Sequence, residues 1–248
     1  MKNKNIVYGI QTIYEMLKYQ HENIYEIFIL CSSSKTFEHK YLIKLIKKRE
    51  IKISFLEKNQ TEKILSIENI NHQNIMAVIK QFKSITLDRF LYDINSKKNE
   101  KLKVLVLNQI QDPQNLGSII RTSVCFGIKA IVMSKKNSAK ITPVVNKISC
   151  GGVALISFIK TDNLLSVIKK LKENNFYIAG ITEKAEKKIS NFKLENKNIA
   201  LVLGNENKGI NKNILSECND LFKINIEKIS SLNVSSAAAI VMYQLYSK

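Results

Sequence analysis

Apolar side chains in the first eighty residues recur with helical spacing in some stretches and form short runs in others. In residues 9–20, Ile10, Ile13, Tyr14 and Leu17 fall on one side of a helix, because positions three and four apart share a face. Strands are predicted at 24–30, 52–56 and 75–82, and helices at 41–48 and around 61–65. This alternation predicts a compact α/β unit.

From residue 102 the pattern changes to short, continuous apolar runs. Runs of this kind are typical of strands buried on both faces of a parallel sheet. They begin at Val104, Ala130, Phe176, Ile199 and Leu221. Helical stretches are predicted at residues 163–174, 210–218 and 234–246, the last of them rich in Ala and Ser. Alternating strands and helices predict a mostly parallel sheet covered by helices.

Residues 83–101 separate these two regions. Their periodicity is weak apart from a short helix predicted at 87–92, and they end in a polar, charged run, which is typical of a linker. The sequence therefore predicts an α/β protein with a first domain at 1–82, a linker at 83–101 and a second domain at 102–248.

Composition favours a soluble, reduced protein. The chain has 248 residues, 45% of them hydrophobic and 24% charged. It has neither an apolar run of the roughly 18–20 residues that span a bilayer nor a recognisable signal peptide at its start. The four cysteines are far apart and form no Cys-x-x-Cys motif, which predicts buried, reduced thiols rather than a zinc site or disulfides. We expect a cytoplasmic protein.

The charge is strongly positive. Lys and Arg outnumber Asp and Glu by 39 to 21, which gives a net charge of +18. Such an excess indicates a polyanionic partner, with nucleic acid the first candidate. Only three of the basic residues are arginine, and a solvated lysine-rich surface without a special purpose is the alternative.

Three loops rich in Gly, Asn and Ser follow predicted strands, where open α/β sheets bind their ligands. The first, residues 109–123, reads QIQDPQNLGSIIRTS. Pro113 fixes φ, Asn115 can cap the following helix, Gly117 permits close approach of the backbone, and Arg121 lies one turn further on. Taken alone, this loop is also compatible with an ordinary strand-to-helix turn.

The other two loops are equally ambiguous when each is considered alone. In residues 203–210, LGNENKGI, Gly204 and Gly209 bracket Glu206. This is neither a phosphate-binding loop of the Gly-Lys-Ser/Thr type nor Gly-x-Gly-x-x-Gly, which argues against a nucleotide-dependent dehydrogenase. In the third loop, Ser231 and Asn233 have the character of helix caps. A serine hydrolase is not indicated, because all three histidines (His21, His39 and His72) lie in the first domain.

The three loops together carry more information. The order Asn-x-Gly-x-x-x-Arg, Gly-x-Glu-x-x-Gly and Ser-Leu-Asn-Val-Ser resembles the three motifs of the SpoU (TrmH-like) RNA 2′-O-ribose methyltransferases. Residues 7–17 and 72–79 are similar to the two ends of the small, L30e-like substrate-binding domain of the ribosomal-RNA members. The type that methylates a guanosine ribose in 23S ribosomal RNA is the one that this chain resembles most.

The resemblance implies a catalytic domain with a deep trefoil knot (the SPOUT fold), S-adenosylmethionine as cofactor, no metal, and a homodimer that acts on RNA and not on DNA. The implied cofactor-binding residues are Gly204, Ile224 and Leu232. The implied catalytic residues are Asn115, Arg121, Glu206, Ser231 and Asn233.

Each implied catalytic residue has an expected role. Arg121 would place a fixed positive charge beside the reacting ribose oxygen, and Glu206 would orient Arg121 through a charge-assisted pair. Asn115 and Asn233 would hold either the ribose or the loop, and Ser231 would form a hydrogen bond nearby.

The third motif departs from the family pattern, which usually begins Ile-Pro-Met and has a Gly before Ser-Leu-Asn. Here residues 224–233 read INIEKISSLN. Besides the ribosomal-RNA enzyme, two alternatives stay open. The first is the same chemistry on transfer RNA, which the first domain disfavours. The second is a non-catalytic RNA-binding protein of ribosome assembly with a degenerate cofactor pocket.

Overall fold

The computed structural model describes residues 5–31, 37–57, 72–80, 82, 84–95, 101–193, 198–206, 208–228 and 231–247. In chain order the strands are β1 (Asn5–Tyr8), β2 (Ile24–Leu30), β3 (Lys52–Leu56), β4 (Ile75–Ile79), β5 (Lys103–Leu107), β6 (Ala130–Ser134), β7 (Ser157–Thr161), β8 (Phe176–Ile181), β9 (Lys187–Lys188), β10 (Asn198–Leu203) and β11 (Asp220–Lys223). The helices are α1 (Ile10–Tyr19), α2 (Phe37–Lys48), α3 (Leu87–Asn95), α4 (Pro113–Cys125), α5 (Pro143–Ile148), α6 (Leu164–Glu173), α7 (Lys212–Leu215) and α8 (Val234–Tyr246).

The chain folds into two compact units. The first joins Met1–Phe82 with Ile141–Leu155, and the second joins Lys83–Lys140 with Ile156–Lys248. The segment that contains α5 thus packs with the first unit, although the predicted boundaries assign it to the second domain. The functional assignment of residues 1–82, 83–101 and 102–248 stays a prediction.

The first unit is built on a four-stranded sheet with the order β1-β4-β2-β3. The strands β2 and β3 are parallel, whereas β4 is antiparallel to both of its neighbours. The helices α1 and α2 bury their apolar stripes against this sheet through Met16, Leu17, Leu42 and Ile46. Strands β2, β3 and β4 were predicted, β1 was missed, and the helix predicted around residues 61–65 lies outside the described residues.

The second unit is built on a seven-stranded sheet with the order β7-β6-β5-β10-β8-β11-β9, and every pairing in it is parallel. Strand β5 lies inside the sheet, with Val106 opposite Val132 on one side and Val202 on the other. Central strands covered on both faces need apolar residues at every position, which explains their continuous apolar runs. The predicted parallel sheet is confirmed.

Helices α4 and α8 pack against each other, with the Ser123 hydroxyl 3.5 Å from the Met242 sulfur. Leu116, Ile119 and Val241 are fully buried. This pairing brings the start of α8 close to the start of α4 and so places the third loop beside the first.

Several predicted details are corrected. The helix predicted at 210–218 is limited to α7, which starts after the Asn211 cap and ends at Leu215. Strands β7 and β9 and helix α5 were not predicted. None of the four cysteines forms a disulfide with another described residue, but Cys31 and Cys125 are exposed, so the expectation of buried thiols is wrong for these two. Burial does raise the pKa of the Cys218 thiol to about 11.

Candidate active site

A pocket of about 250 Å³ opens where the loops after β8, β10 and β11 meet, at the carboxyl edge of the large sheet. This is the edge at which open α/β sheets bind their ligands. Its apolar lining consists of Ile181, Leu203, Ile210, Leu215, Ile224, Ile226, Leu232, Val234 and Ala237. All three predicted cofactor residues, Gly204, Ile224 and Leu232, line this one pocket.

Gly204 allows the second loop to close tightly. A Cβ at this position would lie 2.2 Å from the Gly209 carbonyl carbon and 2.4 Å from the Ile210 nitrogen. Two backbone hydrogen bonds hold the turn, from Asn205 to Gly209 at 3.0 Å and back from Gly209 to Asn205 at 2.9 Å. Only glycine fits position 204 without displacing the opposite side of the turn.

Two buried asparagines tie the second loop to the first. The Asn108 side-chain amide donates to the Gly209 carbonyl at 3.3 Å, and the Asn205 amide donates to the Gln109 carbonyl at 2.8 Å. Neither Asn108 nor Asn205 was predicted as a site residue. Both asparagines lie within two residues of the end of a buried strand, at the edge of the sheet where ligands bind, and this position could have identified them.

Three predicted catalytic residues form a continuous hydrogen-bonded chain. The Asn115 Nδ2 donates to Glu206 Oε1 at 2.8 Å, and Asn233 Nδ2 donates to Asn115 Oδ1 at 2.9 Å. The Asn233 Oδ1 accepts from the Ser235 backbone and hydroxyl at 2.9 and 2.6 Å. One side chain from each motif therefore joins the three loops. Asn115 and Asn233 hold the loop, one of the two roles expected for them.

The cap of α4 differs from the prediction. Asp112, not Asn115, accepts hydrogen bonds from the backbone at Gln114 and Asn115, at 3.0 and 3.4 Å. Asn115 lies inside the helix, and its amide is free to join the chain just described. Asn233 does cap α8, as predicted. Ser231 caps no helix among the described residues and lines the pocket with Glu206.

Arg121 lies apart from this chain of hydrogen bonds. It follows Asn115 by six residues, which is about 9 Å along the helix axis, and its side chain is exposed. It forms no hydrogen bond or ion pair with any residue that the structure describes, and it is not among the pocket residues. Within the described single chain Glu206 Oε1 accepts from Asn115, and the pair between Glu206 and Arg121 stays a prediction.

The loop after β8 supplies a further wall of the pocket. Thr182, Glu183 and Lys184 line it directly after the strand ends at Ile181. The strand itself was predicted. The three residues that follow it contain neither Gly nor Asn, and they were not predicted as part of the site. They add one carboxylate and one ammonium group to the rim.

The lining is suited to a ligand with both apolar and polar parts. Nine apolar side chains line the pocket, while Glu206 and Ser231 contribute oxygen atoms and the tight Gly204 turn contributes backbone groups. In the described segments, no three His, Cys, Asp or Glu side chains are grouped as metal ligands would be. Nor does any described helix have the length and apolar character needed to cross a membrane.

Comparison with protein families tests the family resemblance of the motifs. The model of the SpoU rRNA methylase family matches residues 102–243, more than half of the chain. The chain belongs to the SpoU rRNA methylase family. A second model, for the substrate-binding domain of RNA 2′-O ribose methyltransferases, matches residues 6–84. This SpoU methylase is therefore an S-adenosylmethionine-dependent RNA 2′-O-ribose methyltransferase by family.

Individual relatives match nearly the whole chain. YacO of Bacillus subtilis, whose name assigns it to the TrmH family of tRNA/rRNA methyltransferases, is 30% identical over 98% of this chain and 95% of its own. The 23S rRNA (guanosine-2′-O-)-methyltransferase RlmB of Blochmanniella floridana is 31% identical over 96% of this chain and 93% of its own. Both matches include the two units.

A solved structure shares the fold. The SpoU methyltransferase AviRb from Streptomyces viridochromogenes, in complex with AdoMet, has a TM-score of 0.76 at 17% identity, over 99% of this chain and 90% of its own. The predicted architecture, an α/β methyltransferase domain preceded by a small substrate-binding domain, is confirmed. The trefoil knot and the cytoplasmic location stay predictions.

Proposed function

We propose that this SpoU methylase transfers a methyl group from S-adenosylmethionine to the ribose 2′-hydroxyl of one guanosine in 23S ribosomal RNA. The observation that carries the proposal is the hydrogen-bonded chain of Asn115, Glu206 and Asn233, which fixes the three motif loops beside one pocket. The substrate assignment is supported by the match to RlmB over 96% of the chain.

The pocket supplies the cofactor site of the proposal. Ile224 and Leu232 would offer apolar surface to the cofactor, and the turn at Gly204 would offer backbone groups to its polar parts. When bound, S-adenosylmethionine supplies an activated methyl group on a sulfonium centre. The side chains of this pocket bind and orient the donor and exclude water around it.

Arg121 is assigned to the reacting oxygen. A ribose hydroxyl is a weak acid, and its oxygen gains negative charge as its proton passes to water. The O–C bond then forms while the bond between the methyl carbon and the sulfonium sulfur breaks. A guanidinium group stays protonated at neutral pH and can stabilise that charge without being consumed. Because Arg121 has no partner among the described residues, its side chain is available to an RNA that enters from the exposed side of α4.

We further propose that the protein acts as a homodimer. The outer face of α8 exposes Ile240, Tyr243 and Tyr246, with 41%, 59% and 61% of their surface accessible. The ring of Phe126, at the end of α4, lies 6.0 Å from Tyr243 and 5.5 Å from Tyr246. Such a contiguous apolar patch is typical of an interaction site. A second copy seated there would lie next to α4 and Arg121.

Sedimentation velocity tests the dimer. The wild-type protein is expected to sediment as a dimer at micromolar concentration, and Tyr243→Lys as a monomer. Tyr25→Lys, an equally exposed tyrosine on β2 at 62%, is the control and should leave the dimer intact. A monomeric wild-type protein would contradict this part of the proposal.

Methylation of defined RNAs tests the substrate. Protein with radiolabelled S-adenosylmethionine is offered a 23S ribosomal RNA transcript or a mixture of transfer RNAs, and ribose-methylated positions are then mapped. We expect label at a single guanosine of the 23S transcript. Label confined to transfer RNA would favour the other substrate, which the name of YacO also includes.

The non-catalytic alternative has its own measurement. It rests on the altered third motif, residues 224–233, which lacks the usual Pro and Gly. Titration calorimetry with S-adenosylmethionine distinguishes it, since a degenerate pocket would bind no cofactor. Tight 23S RNA binding without cofactor binding would favour a role in ribosome assembly.

A further inference from the structure

Helix α2 of the first unit has a strongly basic outer face. Lys40, Lys44, Lys47 and Lys48 are all exposed. Their spacing of three and four residues places them on one side of the helix. The opposite side buries Leu42 and Ile46 in the core.

The positive charges of this face are not neutralised by the protein. None of the four lysines forms an ion pair with any residue in the described part of the chain. On α6 the situation is reversed, since Lys169 and Lys172 pair with Glu217 and Lys170 pairs with Asp88. Two helices with similar lysine content therefore differ in whether their charge is compensated internally.

Helix stability does not account for this arrangement. Like charges four residues apart on a helix repel each other, as Lys40 with Lys44 and Lys44 with Lys48 must do. The helix dipole favours cations only near the carboxyl end, which covers Lys47 and Lys48 but not Lys40 in the first turn. The face is therefore one that an external polyanion would stabilise.

An aromatic ring lies within the same face. Tyr41 is 54% exposed and adjoins the lysines, and its ring centroid is 6.2 Å from that of Tyr14 on α1 at an angle of 36°. The Tyr14 contact supports one edge of the ring and leaves the rest open to solvent. Lysines for phosphates combined with an aromatic face for bases are typical of surfaces that bind single-stranded RNA.

We propose that this lysine face, defined as Lys40, Tyr41, Lys44, Lys47 and Lys48, binds the substrate RNA outside the catalytic pocket. The four ammonium groups contact backbone phosphates, and the ring of Tyr41 stacks on an unpaired base. The face lies within residues 6–84, which match the substrate-binding family model, and the inference adds which surface and which side chains of that region bind the RNA. It rests on the proposed function for the identity of the RNA.

The salt dependence of RNA binding tests the proposal. Fluorescence anisotropy with a 23S ribosomal RNA transcript, measured from 50 to 300 mM NaCl, compares the wild type with a variant carrying Lys40→Gln, Lys44→Gln, Lys47→Gln and Lys48→Gln. Each phosphate contact contributes about 0.7–0.9 to the slope of log K against log salt, so the slope should fall by about 3. The dissociation constant at 150 mM should rise about 100-fold.

A charge-matched control separates this surface from a general effect of net charge. Lys135, Lys169, Lys170 and Lys172 are all paired with carboxylates, and their replacement by Gln removes the same four charges. This control should bind RNA within about threefold of the wild type. If both quadruple variants lose affinity equally, the lysine face has no special role and the proposal is overturned.

The ring is tested separately. Tyr41→Ala should weaken binding of a single-stranded segment of the transcript about tenfold, and Tyr41→Phe should retain it, because stacking requires only the ring. Circular dichroism and S-adenosylmethionine affinity check that each variant is folded. If the quadruple variant does not fold, Lys40→Gln with Lys44→Gln should still lower the slope by about 1.5.

The outcomes distinguish this inference from the proposed function. A wild-type protein that binds and methylates the transcript while the lysine-face variant does so equally well overturns the inference alone. A wild-type protein that methylates no RNA contradicts the proposed function, and RNA binding through the lysine face can then still be measured by anisotropy.

Discussion

The polar side chains in the first turn and in the middle of helix α4 differ in whether the single chain provides their hydrogen-bond partners. In the first turn, Asp112 caps the helix and Asn115 is hydrogen-bonded to both Glu206 and Asn233. Two turns later Arg121 is exposed, without a hydrogen bond or ion pair to any described residue. One chain therefore completes the scaffold of the pocket, whereas it provides no described partner for the guanidinium of Arg121.

The largest effect on methyl transfer is expected at Arg121, for which the described chain provides no partner. Arg121→Ala should lower the rate of methyl transfer about 10³-fold, because a fixed positive charge beside the reacting oxygen is lost. S-adenosylmethionine affinity, measured by calorimetry, should change less than threefold. Arg89→Ala on α3 removes an exposed arginine paired with Asp93 and should leave both quantities unchanged. Equal loss of transfer and cofactor binding in Arg121→Ala would contradict the assigned role.

The next effect concerns the tight turn of the second loop. Gly204→Ala places a Cβ against the backbone of Gly209 and Ile210, which should cost about 3 kcal/mol of stability and abolish measurable S-adenosylmethionine binding. Gly127→Ala is the control, since its Cβ meets nothing within 4 Å but its φ is +71°. It should cost about 1–2 kcal/mol through backbone strain and leave cofactor affinity unchanged. Normal cofactor binding by Gly204→Ala would show that the pocket does not depend on this turn.

A smaller effect is expected in the hydrogen-bonded chain. Asn115→Ala leaves Glu206 and Asn233 to water, which can reach both because they are exposed. The free energy of unfolding in urea should fall by about 1 kcal/mol, with a larger relative loss of methyl transfer. Gln114→Ala, at the exposed neighbouring position, should change neither. If Asn115→Ala transferred methyl groups normally, the hydrogen bonds among Asn115, Glu206 and Asn233 would have no role in the reaction.

The smallest effect lies beneath the pocket, at the base of β11. Hydrogen bonds from Lys187 and Tyr177 lower the pKa of the Asp220 carboxyl. Its contribution to stability is therefore complete above the ordinary Asp pKa of about 4 and disappears as the pH falls through the lower folded value. Asp220→Asn should reduce the free energy of unfolding by about 1 kcal/mol at pH 7 and by progressively less as the pH falls through the lowered pKa of Asp220. If the difference in free energy of unfolding between the wild type and Asp220→Asn stayed the same in acid, the charge of this carboxylate would not be its cause.

The sequence predicts the strands of the large sheet well, because full burial demands apolar residues throughout, as in β5 and β10. It does not predict β7, whose run SFIKT includes polar residues at a sheet edge. Nor does it reveal that Ile141–Leu155 packs with the first unit, because that depends on contacts between distant segments.

The site was predicted in part. The resemblance to the family implies Gly204, Ile224 and Leu232, which all line the pocket. The sequence cannot distinguish which of two neighbouring polar side chains caps a helix, and so Asn115 was predicted at a cap that Asp112 forms. The sequence also cannot show which residue of helix α4 forms a hydrogen bond with Glu206, because Asn115 and Arg121 are both polar and lie within two turns of each other.

The central claim is that the oxygen which receives the methyl group is a ribose 2′-hydroxyl held beside Arg121. Once the modified guanosine has been mapped, a short RNA containing it can be synthesised with a single 2′-deoxy substitution at that position. We predict that this RNA binds as tightly as the all-ribose form and accepts no label from S-adenosylmethionine. Undiminished methylation of the 2′-deoxy RNA would contradict it.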